Sequence, residues 1–132
     1  MGDNSRVVNL INNLPYADLR GEVSLQTQST PYGVTVDYNF SNVNLDSQQI
    51  KSAFRNNAVV MFALIDNVDV ITFNVKGAIQ PSGYQYLRNE VQQSYDHDLR
   101  EYARDVNALE TLLKSLTFRL QYFLPRETML TL

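Results

Sequence analysis

Between Asn56 and Gly77 the chain reads Asn-Asn-Ala-Val-Val-Met-Phe-Ala-Leu-Ile-Asp-Asn-Val-Asp-Val-Ile-Thr-Phe-Asn-Val-Lys-Gly, which predicts a buried helix, a polar turn and a core strand in succession. The run Ala58 to Ile65 is apolar on every side, so a helix built from it has to be enclosed by other elements. After Asp66-Asn67, Ile71, Phe73 and Val75 alternate with Val70, Thr72 and Asn74, the two-residue period of a strand. Such a segment demands packing partners and offers no nucleophile, metal cluster or phosphate cradle. The apolar run is also far shorter than the ~20 residues that a membrane-spanning helix needs.

The flanking sequence supplies those partners. Val7, Leu10, Ile11 and Leu14 form a helical stripe, with Asn4 or Ser5 as expected cap and Pro15 as stop. Val23, Leu25 and Thr27 alternate with polar neighbours, and Val34, Val36, Tyr38 and Phe40 do the same beyond the turn Thr30-Pro31-Tyr32-Gly33, predicting a hairpin with one wet face. Asp46 and Gln49 have capping-box spacing, and Leu45 is placed to staple onto Ile50, so the buried helix begins there and carries Ile50, Ala53, Phe54, Met61 and Phe62 along its stripe. After the loop at Pro81-Ser82-Gly83, Tyr84 and Tyr86 suggest a short fourth strand, and Asn89 a cap for a helix from Glu90. One or two helices are expected up to Leu116, with Asp96 to Arg100 and Glu101 to Arg104 as exposed pairs and Leu109, Leu112, Leu113 and Leu116 as the buried stripe. Phe118, Leu120, Tyr122 and Leu124 alternate like a strand, and a loose end is expected beyond Pro125. The resulting class is α+β: a small antiparallel sheet of three to four strands with helices packed on one face, a single domain over residues 1–116, and an extension over 117–132.

Composition narrows function by exclusion. A net charge of -3, from 11 Lys+Arg against 14 Asp+Glu, offers no basic surface to neutralise phosphates, so nucleic acid is not an expected partner. The chain has no cysteine and a single histidine, which rules out thiolate chemistry and the paired histidines of a His-Glu-x-x-His zinc site within it. Gln48, Phe73 and Thr111 stand three residues before Lys51, Lys76 and Lys114, so no Ser-x-x-Lys acylation site exists. The scattered glycines form no phosphate-binding loop. His97, between Asp96 and Asp98, reads as part of a solvated helix start, because neighbours in a helix diverge by about 100°. Asp66, Asn67 and Asp69 form the compact acidic cluster; a hard cation is one use for it, and backbone bonding in a turn is the stronger reading. Among eight tyrosines, Tyr32, Tyr84, Tyr86 and Tyr95 are the candidates for a recognition surface, against the simpler view that they are half-buried sheet and turn residues. The hairpin edge offers strand addition as a further binding mode.

Several segments together resemble a known family. These are Gly2-Asp3-Asn4-Ser5 with Val8, Leu10, Ile11 and Leu14-Pro15; Leu25-Gln26-Thr27 with Pro31-Tyr32-Gly33; Asn57 with Phe62-Ala63-Leu64-Ile65-Asp66-Asn67-Val68-Asp69; and Asp98-Leu99-Arg100-Glu101-Tyr102. They are similar to a Firmicutes domain of unknown function, over about Gly2 to Leu116. That family occurs in membrane-anchored or lipoprotein chains and at the C-terminus of zinc metallopeptidases like the β-lactam-responsive antirepressor. The resemblance implies an extracytoplasmic sensor or interaction module, tethered through an upstream membrane segment, and carries over no catalytic residue. Residues Met1 to Ser5 show no signal-peptide pattern; if the native protein is exported, as the resemblance implies, the targeting segment is expected upstream.

The leading expectation is therefore a noncatalytic domain with no cofactor and an unknown protein or small ligand as partner. The alternatives are a small enzyme using dispersed carboxylates such as Asp37, Asp66 and Asp69, or a structural spacer.

Overall fold

Residues 4–41, 46–77, 82–116 and 130–132 are described by the structure, a computed structural model. Strands β1 (Arg20–Gln26), β2 (Gly33–Asn39), β3 (Val70–Lys76) and β4 (Ser82–Leu87) form one sheet in that order. The helices are α1 (Asn4–Asn12), α2 (Ser47–Leu64), α3 (Arg88–Gln92), α4 (Leu99–Tyr102) and α5 (Val106–Ser115). The class is α+β. The pairs β1–β2 and β3–β4 are antiparallel, but β2 and β3 run parallel with Val36 opposite Phe73. This central pair corrects the expectation of a wholly antiparallel sheet. Helix α2, 18 residues long, carries the chain back to the end where β2 began, so β3 departs in the same direction.

Strand alternation sorts the sheet into a core face and a wet face. Val23, Val36, Phe73 and Tyr84 make one row across the four strands, and Leu25, Val34, Ile71 and Tyr86 the next. Helix α2 lies over these rows: Phe54 stacks on Phe73 with centroids 4.6 Å apart and tilts against Tyr38 and Tyr84. The opposite face carries Ser24, Thr35, Thr72 and Gln85, and there the Asn74 amide donates to Asp37 at 3.3 Å while Lys76 sits 3.6 Å from the same carboxylate. Residues Ala58 to Ile65 are buried throughout, as an all-apolar helix segment requires.

Local signals end the elements. Gln48 N–H donates to Asp46 at 2.9 Å and Gln49 returns the bond to Asp46 N–H, so the expected capping box is present; Leu45, its proposed staple, lies outside the described residues. Val7, Leu10, Ile11 and Leu14 are buried as the stripe predicts, but Asn4 and Ser5 fall inside α1 rather than before it. Gly77 has φ 78°, and a β-carbon there would collide with Ser41 and Asn39, so the turn after β3 needs glycine.

Past β4 the structure departs from the expected helix capped by Asn89. Helix α3 starts at Arg88 directly from the strand, which places Asn89 inside it, and three short helices replace one or two. Asp98 and Asp105 interrupt the run because each accepts a bond from an N–H two residues on, Arg100 at 2.9 Å and Asn107 at 3.0 Å, and so starts a new helix. Arg100 consequently pairs with Asp98 and Asp66 rather than Asp96, and Glu101 faces His97 instead of Arg104. Leu99, Leu109, Leu112 and Leu113 complete the core. The alternation from Phe118 to Leu124 lies outside the described residues. Leu130 and Leu132 are buried, contrary to the expected loose end.

Candidate functional site

The junction where α2 ends and β3 begins gathers most of the polar chemistry of the core. Arg88 organises it. Tyr84 and Tyr86 point to the core side of β4, and Arg88, two positions further, keeps that parity at the strand's end. It meets the C-terminus of α2, whose last carbonyls lack helical partners and carry the negative end of the helix dipole. The guanidinium donates to Val68 O at 2.8 Å, Phe62 O at 2.9 Å and Ile65 O at 2.7 Å, and lies over the Phe62 ring at 5.0 Å. Burial, with Arg100 nearby, lowers its pKa to about 10, which leaves it charged at neutral pH. Sequence reasoning missed this residue. The parity of Tyr84, Tyr86 and Arg88 was the available signal, but only the fold places a helix end beside it.

The Asp66-Asn67-Asp69 cluster is divided among separate tasks. Asp69 takes Tyr32 N–H on its carboxylate at 2.8 Å and gives its own N–H to Tyr32 O at 2.8 Å, clamping the start of β2. Asp66 pairs with Arg100, and Asn67 binds the backbone of Leu132. Among the described residues, no group of three or more His, Cys, Asp or Glu could hold a metal ion. Asp37 stands further along β2 on the wet face, engaged by Asn74 and Lys76, so the fold does not gather it with Asp66 and Asp69.

Beside the junction runs an open groove of about 640 Å³ at the end of the sheet, lined by Thr30, Pro31, Asp69, Gln85, Leu87 and Asn89 among others. Leu87 is 39% exposed on its wall. Polar groups and the apolar Pro31, Val70 and Leu87 therefore share a single concave surface.

The four tyrosines occupy three places. Tyr84 and Tyr86 share the core side of β4, where the Tyr86 hydroxyl donates to Lys51 O at 3.2 Å and burial pushes its pKa up. Tyr95 meets Tyr102 edge to face at 6.1 Å. Tyr32 packs next to the groove, at the Asp69 clamp. All four are half-buried against the core. His97 is exposed, 3.9 Å from Glu101 on the surface of α4.

Fold and site together describe a small α+β domain whose polar side chains hold backbone segments around one sheet end. The chain matches the family model described as Domain of unknown function (DUF4825) over residues 1–87, and it belongs to that family. The match takes in the whole sheet and the junction as far as Leu87, while α3 to α5 follow it. No curated protein and no solved structure matches the chain. Among the described residues, no helix is long and apolar enough to cross a membrane.

Proposed function

We propose that this domain is a noncatalytic sensor or interaction module, held outside the cytoplasm by a membrane-anchored or lipoprotein parent. One observation carries the reading. Every polar side chain of the α2–β3 junction grips backbone or a charged partner, and the groove beside it sets Thr30, Gln85 and Asn89 next to the apolar Pro31, Val70 and Leu87. That arrangement suits capture of a partner surface, with Asp69, Gln85 and Asn89 to orient it and Leu87 to anchor it. The location outside the cytoplasm rests on the family resemblance. Half-burial of all four tyrosines favours a second reading, a structural spacer.

Two measurements test the proposal. Alkaline phosphatase, which is active only outside the cytoplasm, is fused to the domain in the intact parent; enzyme activity is expected, and an inactive but stable fusion overturns the location. A photocrosslinking residue placed at Leu87 in cells should give one discrete adduct that the same residue at Ser24 does not give. If neither position yields an adduct, and an unrelated domain of the same length restores the parent's function, the spacer reading replaces this one.

A further inference from the structure

Residues 130–132 lie against the α2–β3 junction in the geometry of a bound peptide. Leu130 forms a parallel bridge with Ile65: its N–H donates to Leu64 O at 2.6 Å and its carbonyl accepts Asp66 N–H at 2.7 Å. Two residues on, the Asn67 amide closes on Leu132 from both sides, Oδ1 accepting its N–H at 2.8 Å and Nδ2 donating to its main-chain oxygen at 3.3 Å. The side chains of Leu130 and Leu132 are buried, while Thr131 between them faces outward. Period-two burial with main-chain bonding is how extended peptides are recognised on a sheet edge: the backbone supplies affinity and alternate side chains supply selectivity.

The receiving backbone is positioned without help from the segment. Arg88 holds the carbonyls of Phe62, Ile65 and Val68, which fixes the backbone on either side of Asp66 N–H. Asn67 presents one acceptor and one donor side by side, the complement of a single extended residue. Both features read main chain, and the burial of Leu130 and Leu132 on either side of exposed Thr131 selects apolar side chains two residues apart. We propose that this slot is a recognition site for extended protein segments of the form Leu-x-Leu, and that Leu130–Leu132 is its tethered occupant, exchangeable for the matching segment of a partner. The inference goes beyond the interaction reading above and does not depend on the groove at Leu87.

The test uses the full chain. A ¹⁵N-labelled L130D/L132D variant is titrated with a synthetic peptide of residues 127–132 while the Asn67 side-chain amide and the Asp66 N–H are followed by NMR. Saturable shifts are expected at peptide concentrations about ten-fold or more below those the unaltered chain requires, because its own segment competes for the slot within the same molecule. Adding N67A to the variant is expected to abolish the response at the Asp66 N–H. A folded variant that shows no shift at Asn67, or responds no better than the unaltered chain, overturns the proposal. If the variant fails to fold, hydrogen exchange on the unaltered chain decides. Excess peptide is expected to speed exchange at the Leu130 and Leu132 N–H about ten-fold by displacing the segment, with β3 unchanged, and unchanged rates at both sites overturn the proposal.

Discussion

Tyr38 and Arg88 show opposite fates for a buried polar group. The Tyr38 hydroxyl is buried without a hydrogen-bond partner among the described residues, and burial holds its phenol above the usual range. A phenol kept neutral by the fold contributes stability that is complete below its unfolded pKa of about 10 and is lost as pH rises past that value, since only the unfolded chain ionises there. We expect Tyr38→Phe to raise stability by about 1 kcal/mol at neutral pH, by removing an unsatisfied group, and to blunt the alkaline loss; urea denaturation at about pH 8 and about pH 11 checks both. Arg88, in contrast, is saturated by carbonyls. Arg88→Met should cost about 3 kcal/mol or more by orphaning them, and Arg88→Lys should recover little of this, because a single ammonium cannot span the same fork. Thermal denaturation of the pair reads the difference. Neither role was legible in the sequence. His97 was: it is exposed just before α4, and its substitution by alanine should cost less than about 0.5 kcal/mol.

Helix α2 is the element whose sequence and structure agree most fully. Its capping box, the all-round burial of its second half and its break at Asp66 were each readable, because caps, period and turn residues act over a few positions. We expect Asp46→Ala to cost about 1 kcal/mol and Phe62→Ala about 3 to 5 kcal/mol, measured by chemical denaturation. The latter removes both a fully buried ring and the surface on which Arg88 lies. The segment from Arg88 to Ser115 was less legible. Its apolar residues fit helical spacing throughout, yet Asp98 and Asp105 turn their carboxylates onto backbone N–H groups and divide it. Such an aspartate reads equally well as an exposed helical residue until the neighbouring packing selects one use.

At the scale of the whole molecule, the parallel pairing of β2 and β3 places the two most buried strands at the centre of the sheet, with β1 and β4 as edges. Amide hydrogen exchange should therefore be slowest along Val34–Tyr38 and Ile71–Val75 and faster by a factor of about ten or more in β1, whose side chains are half-exposed. Alternation by itself determined which residues face the core, where the strands lie and that one sheet face is wet, since these follow from periods of two and 3.6 along the chain. Strand direction did not follow, because Phe73 presents the same face whether its neighbour runs with or against it. Only tertiary structure decided that α2 acts as a crossover, that Arg88 meets the end of a helix lying more than twenty positions earlier, and that Asn67 holds Leu132 across 65 residues. Contacts at such separations depend on where compact layers place two distant segments, and local sequence carries no record of that placement.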